Sequence, residues 1–337
     1  MRSKDWTRQS IRVRHKKSRY PNIFDCIILG AGPAGMTATI YGARRKMSIL
    51  LICGPKVGGQ MKWSSDIENY PGVKKITGPA LTDRFFDHVQ KISEDPKHFD
   101  VWVRTKESAR KIGKKKNIFE IHTDQKNVFR SKTILLTMGK IPRTLGIPGE
   151  EIAMKGNGLS FCATCDAPLY KDCKMAILGG GNSAMDVALQ LEKYTDDITI
   201  FTDLDDLMGE NVLMEKIKKS KFISVKYSIA VKEILLDKKK HVRGIRYTEN
   251  GGKIQEFSCT GIFEEIGNIP ATSFLEDFVK RNTHGEILTD ARCRTNIPGV
   301  FAAGDATTEL HKQIIVAAGQ GAIAALEAHE YILNSQD

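Results

Sequence analysis

The sequence predicts an α/β protein that contains two separate β-α-β units. In each unit a short apolar run leads into a glycine-rich turn, then into a helix-like stretch, and then into a second apolar run. The two turns are GAGPAG, residues 30–35, and GGGNSA, residues 179–184. A third apolar run ends in GVFAAGD, residues 299–305, and a helix-like stretch follows it as well. Such alternation is typical of α/β proteins with parallel sheets.

The first unit runs from a predicted strand over residues 24–29 to a second strand over Ser48–Ile52. Between them Gly30, Gly32 and Gly35 follow the spacing G-x-G-x-x-G. Glycines at this spacing let the backbone approach a pyrophosphate at the helix N-terminus, where free N–H groups and the helix dipole favour negative charge. The unit therefore predicts a dinucleotide site. One expected feature is missing, because LLICGP at the end of the second strand offers no acid for a ribose hydroxyl.

The second unit has the same layout, with predicted strands over Met175–Leu178 and Ile198–Phe201. Gly179, Gly181 and Ala184 occupy the three positions of its turn, and alanine at the third still permits close packing of helix on strand. Two such units indicate two nucleotide sites, or one duplicated domain in which one site has been lost.

The third signal is a strand-like run over Val300–Ala303 that ends at Gly304 and Asp305. An aspartate at such a strand end can accept a hydrogen bond from a polyol hydroxyl. It can equally cap the next helix, and local sequence does not decide between the two.

Charge is concentrated at the N-terminus of the chain. Residues 1–22 carry eight Lys or Arg against one acid, Asp5, which leaves +4 of the net charge of +11 for the rest. We expect a basic, solvated and flexible extension, which could steer an acidic partner or weakly bind a polyanion. Nucleic acid is therefore an improbable main partner.

The rest of the composition is that of a globular protein, with 41% hydrophobic and 27% charged residues. The sequence contains no apolar run near the roughly 18 residues of a membrane span and no signal-peptide pattern. Its seven cysteines are scattered rather than arranged as a disulfide framework. Cys26 and Cys53 lie in apolar runs and are expected to be buried. A reducing, cytoplasmic location is expected.

Taken together, these segments resemble the low-molecular-weight thioredoxin reductase family of FAD-dependent disulfide oxidoreductases, from about residue 23 to 333. The second half, including GIFEEIGNIPATSFLE, looks closer to the flavoprotein subunit of alkyl hydroperoxide reductase. The motifs that carry the resemblance are GAGPAG, GGQ (58–60), ENYPG (68–72), TMG (137–139), CATCD (162–166), GGGNSA and GVFAAGD.

The resemblance implies two Rossmann-like dinucleotide-binding domains. A pyridine-nucleotide domain, residues 143–269, would be inserted into a discontinuous FAD domain of residues 23–142 and 270–337, in a homodimer. Asp305 would bind the ribityl chain of FAD. The implied FAD contacts are Gly30, Gly32, Gly35, Gly59, Gln60, Asn69, Gly304, Asp305 and Gln313. The implied nicotinamide-nucleotide contacts are Gly179, Gly181, Asn182, Ser183, Ala184, Thr202 and Asp203.

The pair Cys162 and Cys165 has three possible roles: a metal clasp, a structural disulfide or a redox dithiol. A zinc clasp needs four ligands, but the nearest further cysteine is Cys173, and no histidine lies between His122 and His241. A structural disulfide would close too small a loop to stabilise much. A redox dithiol fits best, because one thiolate can attack a disulfide while the other resolves the mixed disulfide.

In the family, the second cysteine, here Cys165, contacts the flavin, and the first, Cys162, attacks the disulfide of the partner protein. Asp166 would be the general acid–base that protonates the departing thiolate. The alternative for Asp166 is a helix N-cap.

The expected electron donor is NADH rather than NADPH. NADPH-using relatives carry an arginine cluster after the second strand of the inserted domain, whereas this chain has TDLDDLM, residues 202–208. Three carboxylates there would disfavour a 2′-phosphate, and Asp203 could accept from a free ribose hydroxyl. A solvated turn is the alternative for these acids.

The sequence thus predicts a flavoenzyme that passes two electrons from a nicotinamide through FAD and the Cys162–Cys165 dithiol to a thioredoxin- or glutaredoxin-like protein. NADPH, ferredoxin or a deazaflavin as donor, and direct reduction of a peroxiredoxin, are alternatives within the same fold. A polyanion-binding protein that acts through residues 1–22 is the alternative from another class.

Overall fold

The computed structural model describes residues 20–335 except 56, 65, 66, 96 and 98. The predicted basic extension therefore lies almost entirely outside the described residues. The chain divides into two compact units: Pro142–Asn268 forms one, and Met1–Ile141 with Ile269–Asp337 forms the other. The unit of residues 1–141 and 269–337 is thus discontinuous, and the unit of residues 142–268 is inserted into it.

The discontinuous unit is organised around a mixed sheet with strand order β3-β2-β1-β6-β5-β4, in which β17 also pairs with β6. β1, β2, β3, β6 and β17 run parallel, while β4 and β5 form an antiparallel hairpin beside β6. The parallel strands are nearly continuous apolar runs because both faces of this part of the sheet are covered. The strands are β1 Phe24–Leu29, β2 Ile49–Ile52, β3 Val101–Arg104, β4 Ala109–Lys115, β5 Ile118–Thr123, β6 Val128–Leu136 and β17 Val300–Ala302.

Three helices belong to this unit: α1 Pro33–Arg44, α2 Gly78–Ser93 and α7 Ile314–Asn334. α1 and α7 pack so closely that a Cβ added to Gly321 would lie 2.1 Å from the carbonyl oxygen of Ala34. Small residues at this contact bring α7 against the start of α1, where the first glycine turn lies. A 3₁₀ helix, Gly59–Trp63, lies beside the same turn.

The inserted unit contains a parallel sheet with strand order β11-β10-β9-β15-β8. A separate antiparallel sheet, β12-β13-β14, follows β11 in the chain. The parallel strands are β8 Leu159–Ser160, β9 Met175–Leu178, β10 Ile198–Phe201, β11 Ile223–Lys226 and β15 Gly261–Glu264. The antiparallel strands are β12 Ile229–Leu236, β13 Val242–Glu249 and β14 Ile254–Ser258, and the helices are α3 Glu150–Ala153, α4 Ala163–Asp166, α5 Asn182–Leu191 and α6 Asn211–Lys219.

The chain passes between the units in two short strands, β7 Lys140–Pro142 and β16 Asn268–Pro270, which pair with each other. No helix in the described part of the chain is both long enough and apolar enough to cross a lipid bilayer.

The observed strands match the predicted ones to within one residue. β2 begins at Ile49 rather than Ser48, because the backbone N–H of Ser48 donates to Oδ2 of Asp25 at 2.9 Å instead of to a neighbouring strand. β17 ends at Ala302 rather than Ala303. The predicted burial of Cys26 and Cys53 is confirmed, at 1% and 4% exposure.

Candidate functional site

Cys162 and Cys165 are joined by a disulfide, as predicted, with their Cα atoms 5.3 Å apart. Cys162 lies between the end of β8 and the start of α4, and Cys165 lies within α4, which is a single helical turn. The backbone N–H groups of Cys165 and Asp166 both donate to the carbonyl oxygen of Cys162 at 3.1 Å. This turn holds the two sulfur atoms on one short, hydrogen-bonded loop.

The two cysteines differ in exposure. Cys162 is only 8% exposed to solvent, whereas Cys165 is exposed. The more accessible cysteine is thus Cys165, so the family role given to Cys162, attack on a partner disulfide, stays a prediction.

Asp166 is held by a side chain that sequence reasoning missed. The hydroxyl of Ser160 donates to Oδ2 of Asp166 at 2.6 Å, and Ser160 Oγ accepts from the Cys162 N–H at 3.0 Å. Asp166 precedes the 3₁₀ helix Ala167–Tyr170 but makes no side-chain cap there. Asp166 therefore has the N-cap position of this helix, as the alternative had it, but its side chain makes no capping hydrogen bond and accepts instead from a hydroxyl next to the disulfide.

The remaining cysteines do not offer a second reactive pair. Burial raises the pKa of the Cys26, Cys259 and Cys293 thiols to about 12, and raises that of Cys53 as well. Thiols with such pKa values stay protonated and unreactive at neutral pH. Within the described residues, no group of three or more His, Cys, Asp or Glu side chains is arranged to hold a metal ion.

The first glycine turn is built by close backbone contacts. Gly30 has φ +108°, and a Cβ there would lie 2.4 Å from the carbonyl oxygen of Thr137. A Cβ on Gly35 would lie 1.8 Å from the carbonyl oxygen of Gly30. The Thr137 hydroxyl, in the predicted TMG motif, donates to the carbonyl oxygens of Leu29 and Gly30 at 2.9 and 3.0 Å. These contacts fix the turn before α1.

Space for a phosphate remains in front of α1. Gly32 is its N-cap, without a side-chain cap, and a Cβ on Gly32 would meet no atom within 4 Å. Gly59 lies beside it, because a Cβ there would be 3.6 Å from the Gly32 Cα. Gly304 packs against Ala34 of the same helix. Free N–H groups facing open space fit a dinucleotide pyrophosphate, so the residues present fit FAD.

Other predicted FAD contacts form a second group. Nδ2 of Asn69 donates to Oε1 of Gln313 at 3.2 Å, although 244 residues separate them in the chain. Gln313 is the N-cap residue of α7, without a side-chain cap. Nε2 of Gln60 donates to the carbonyl oxygen of Lys140 at 3.4 Å.

Asp305 does not cap a helix, since α7 begins only at Ile314. Burial raises the pKa of Asp305, while Lys312 and Lys140 act in the opposite direction. Both lysines pair with Glu286, at 3.1 and 3.2 Å. Burial acts to raise the pKa of Glu286, but hydrogen bonds from Asn282 and both lysines bring it to about 2. Sequence reasoning missed this charged group, whose members carry no local motif.

The second glycine turn follows the same design. Gly179 has φ +133°, and a Cβ there would lie 2.2 Å from the carbonyl oxygen of Glu265. Gly181 is the N-cap of α5 without a side-chain cap, and the nearest atom to a Cβ there would be 3.8 Å away. Ala184 is fully buried against the sheet, whereas Ser183 is exposed. This turn also presents open space to a phosphate.

A loop is fastened over this turn. The N–H of Met208 donates to the carbonyl oxygen of Gly180 at 2.9 Å, and Oδ1 of Asn182 accepts from the Glu210 N–H at 2.8 Å. A Cβ on Gly209 would lie 1.9 Å from the same Asn182 oxygen. Asn182 therefore anchors the loop that follows β10, in which Asp203 is the predicted donor-selecting residue.

The three carboxylates after β10 have different surroundings. Asp205 accepts from the Ser228 hydroxyl at 2.7 Å, and Asp206 accepts from the Leu207 N–H at 2.8 Å. Asp203 is exposed, and no described residue donates a hydrogen bond to its carboxylate. Thr202 is 1% exposed, and its hydroxyl accepts from the Leu204 N–H at 3.2 Å. The turn interpretation thus fits Asp205 and Asp206, and the role of Asp203 toward a ribose hydroxyl stays a prediction.

Two further acids lie at the C-terminal end of β15, within the run GIFEEIG: Glu264 is the last residue of the strand, and Glu265 follows it. Glu264 is 2% exposed, and burial, followed by its contact with Glu150, raises its pKa to about 8. Both carboxyl groups accept from the Leu145 N–H, at 3.1 and 2.7 Å. Burial, followed by Asp186, also raises the pKa of Glu265 to about 8. The sequence signal for Glu264 and Glu265 was the presence of two adjacent acids in an apolar run.

Comparison with known proteins agrees with this geometry. Residues 24–321 match the family described as pyridine nucleotide-disulphide oxidoreductase. A protein named NADH dehydrogenase, from Ferdinandcohnia aciditolerans, is 34% identical over 313 residues, 93% of this chain and 58% of the relative. The F component of alkyl hydroperoxide reductase in Staphylococcus aureus is 35% identical over 313 residues, 93% of this chain and 60% of the relative. The chain thus spans less than two thirds of the length of these curated relatives.

Among solved structures, Lactococcus lactis thioredoxin reductase matches with a TM-score of 0.80 and 34% identity, over 92% of this chain and 99% of that one. The predicted α/β fold class and the predicted resemblance are confirmed. The chain belongs to the pyridine nucleotide-disulphide oxidoreductase family and has the fold of a thioredoxin reductase.

Proposed function

We propose that the protein is a flavoenzyme that passes two electrons from a nicotinamide nucleotide, by way of FAD, to the Cys162–Cys165 disulfide and on to a thioredoxin- or glutaredoxin-like protein. The observation that carries the proposal is the disulfide with its hydrogen-bonded acid, Ser160–Asp166, in the unit that also carries the second glycine turn. A reductant of protein disulfides also suits the cytoplasm.

FAD, when bound, relays the two electrons between the nicotinamide and the disulfide. In this protein the turn of Gly30, Gly32 and Gly35, with Gly59 beside it, would hold its pyrophosphate. Asp305 would accept from its ribityl hydroxyls. Asn69 and Gln313, already hydrogen-bonded to each other, would fix its far edge.

The dithiol chemistry follows from the two sulfur atoms. The reduced pair holds two electrons and two protons. Asp166 takes the proton of the Cys162 thiol, the Cys162 thiolate attacks the partner's disulfide, and the first partner sulfur leaves as a thiolate that takes this proton from Asp166. Cys165 then attacks Sγ of Cys162, which reforms the disulfide, and the proton of Cys165 passes to the second partner sulfur, which leaves as a thiol. Ser160 keeps the Asp166 carboxyl next to this exchange.

The proposed donor is NADH. Its free ribose hydroxyl can donate to Asp203, whereas the 2′-phosphate of NADPH would meet that carboxylate with Asp205 and Asp206 close by. NADPH is the alternative that the first experiment separates from NADH, and a flavin that neither nucleotide bleaches would favour ferredoxin or a deazaflavin as the donor.

The acceptor is proposed as a separate redox protein. Because the relatives include a component of alkyl hydroperoxide reductase, direct reduction of a peroxiredoxin is the second candidate. We also propose a homodimer, which the exposed apolar side chains Ile315, Ile323 and Leu333 of α7 favour. Size-exclusion chromatography with light scattering would give a monomer mass if this is wrong.

The experiment that tests the proposal is anaerobic reduction of the purified protein. NADH and NADPH are added separately at equal concentration, and bleaching of the visible flavin band is followed. A thioredoxin-like disulfide or an oxidised peroxiredoxin is then supplied. Bleaching by NADH and reoxidation by the thioredoxin-like protein are expected. A colourless protein that binds no FAD, or a yellow one that neither nucleotide bleaches, would contradict the donor pathway.

The polyanion-binding alternative has its own test. Removal of residues 1–22 should leave disulfide reductase activity intact. Loss of polyanion binding without any reductase activity in the full chain would favour that alternative instead.

A further inference from the structure

Glu265 lies where a parallel α/β sheet binds its ligand. The chain runs from β9 through α5 to β10, which pairs with β9 on one side. β15 pairs with β9 on the other side. The order of strands therefore reverses next to β9, and ligands of open α/β sheets bind in the crevice at the carboxyl ends of the strands at such a point. Glu265 directly follows β15 at this edge.

The backbone of Glu265 is part of the phosphate turn. Its carbonyl oxygen lies against Gly179, since a Cβ there would be 2.2 Å away, and its N–H donates to the carbonyl oxygen of Leu178 at 2.7 Å. Leu178 ends β9 and Gly179 begins the turn. The Glu265 side chain is consequently held beside the nucleotide-binding turn.

The carboxyl group of Glu265 has no protein partner among the described residues. No described residue donates a hydrogen bond to it or pairs with it as a cation, although the side chain is partly buried. Its neighbour Glu264, by contrast, accepts from the Leu145 N–H through Oε1 and contacts Glu150. A partly buried carboxyl group without a protein partner, at a ligand crevice, is available to a ligand.

The charged groups around Glu265 favour its neutral form. Burial, followed by Asp186 of α5, raises the pKa of Glu265 to about 8, and Glu264 lies next to it on β15. Burial and then the nearby Glu210 raise the pKa of Asp186, whereas Lys216 of α6 acts to lower it. At neutral pH the side chain therefore carries its proton and can donate it in a hydrogen bond.

We propose that Glu265 is a binding residue of the nicotinamide-nucleotide site, where its carboxyl group donates a hydrogen bond to the bound nucleotide. Ionisation of Glu265 removes this donor and places a negative charge beside a ligand that carries two phosphates. The inference rests on the proposed function, because it assigns a residue to the proposed nucleotide site.

The test is the pH dependence of nucleotide affinity. Tetrahydro-NAD, which carries the charges of NADH but cannot transfer a hydride, is titrated into the FAD-loaded protein by calorimetry from about pH 6.5 to about pH 9.5. The wild-type affinity should be constant below about pH 8 and fall by up to roughly tenfold per pH unit above it. Glu265→Gln, which keeps a neutral donor, should bind as well as wild type at pH 7 and lose this dependence.

Glu264→Gln is the matched control. It removes an adjacent carboxyl whose pKa is also raised to about 8 but which lies in the core against Glu150. Its affinity should fall with pH as in wild type. The inference is overturned if Glu265→Gln retains the wild-type profile, or if both variants lose it. Absence of binding of the analogue to wild type at any pH would overturn the proposed nucleotide site itself, and the two failures are thus distinct.

Discussion

The hydroxyl of Ser160 donates a 2.6 Å hydrogen bond to Asp166 and accepts a 3.0 Å bond from the N–H of Cys162. Ser160 ends β8, so a strand of the parallel sheet fixes the carboxyl group relative to the disulfide. Asp166 is thus positioned by the sheet rather than by the short helix that carries it. This arrangement suits a group that must deliver a proton to a leaving thiolate at a defined place.

Asp166→Asn should slow transfer to the protein disulfide by roughly 10²–10⁴-fold, because the amide accepts from Ser160 but cannot donate a proton as an acid. Reduction of the flavin by the nucleotide should be unchanged. Both half-reactions are measured by anaerobic stopped-flow. Asp196→Asn, at an exposed carboxylate of the same unit, is the control and should match wild type. Equal rates for both variants would remove Asp166 from the proton transfer.

Cys162→Ser and Cys165→Ser should each abolish turnover with the protein disulfide, by about 10³-fold or more, since the exchange needs both sulfur atoms. The variant that retains the attacking thiol should accumulate a mixed disulfide with the partner, visible by mass spectrometry. The family role predicts that Cys165→Ser accumulates it. Accumulation in Cys162→Ser instead would assign the attack to Cys165, which is the more exposed cysteine of the pair.

Gly32→Ala and Gly35→Ala should fail in different ways. A Cβ on Gly35 would lie 1.8 Å from the carbonyl oxygen of Gly30, so the backbone must move, at a cost of about 3 kcal/mol or more. Gly32 has an ordinary φ of −80° and open space, so alanine there should fold normally. Its methyl group should still weaken FAD binding by roughly tenfold, about 1.4 kcal/mol, because it occupies the path of the pyrophosphate.

Circular dichroism and flavin release on dilution separate the two effects. Gly319→Ala, at an exposed position of α7 where a Cβ would meet no atom within 4 Å, is the control and should retain both fold and flavin. Unaltered FAD affinity in Gly32→Ala would move the pyrophosphate away from this turn.

The sequence predicted those parts of the fold whose physics is local. The strands before each glycine turn could be placed to within one residue because buried parallel strands are continuous apolar runs. The cysteine pair could be identified because its spacing is itself the chemical signature. In each of these cases a short segment carries the whole signal.

The rest depended on contacts between distant segments. Asn69 meets Gln313 across 244 residues, and Glu286 pairs with Lys140 and Lys312 from three separate segments. The acids after β10 could be told apart only by their partners, since Asp205 and Asp206 accept hydrogen bonds within the fold whereas the Asp203 carboxylate accepts none from the described residues.

Asp203→Ala should shift the preference between the two nucleotides toward NADPH by about tenfold, roughly 1.4 kcal/mol, as it removes the ribose acceptor and a charge that repels the 2′-phosphate. The ratio of kcat/KM for NADH to that for NADPH measures it. Asp205→Asn also removes one charge but keeps an acceptor for Ser228, and is the control. A similar shift in both variants would mean that the total charge of the loop, not Asp203, selects the donor.

The buried acid pair of Glu150 and Glu264 should make the stability of the fold depend on pH. The pKa of Glu264 is raised from its ordinary 4.5 to about 8 in the folded protein, by burial and then by Glu150. Because the folded state holds this proton more tightly than the unfolded state, the stabilisation is complete below about pH 4.5. It is lost as the pH rises to about 8, at up to about 1.4 kcal/mol per pH unit.

Glu264→Gln keeps a donor for Glu150 and an acceptor for the Leu145 N–H but does not titrate. Its free energy of unfolding relative to wild type should therefore increase between about pH 5.5 and about pH 8.5, as measured by urea denaturation. Glu151→Gln is the control, because the pKa of Glu151 is lowered by its hydrogen bond from Lys155, and its carboxylate is ionised throughout this range. If the curves of wild type and Glu264→Gln stay parallel over this range, Glu264 is already ionised in the fold, and a cation or water must then satisfy its Oε2, which no described residue bonds.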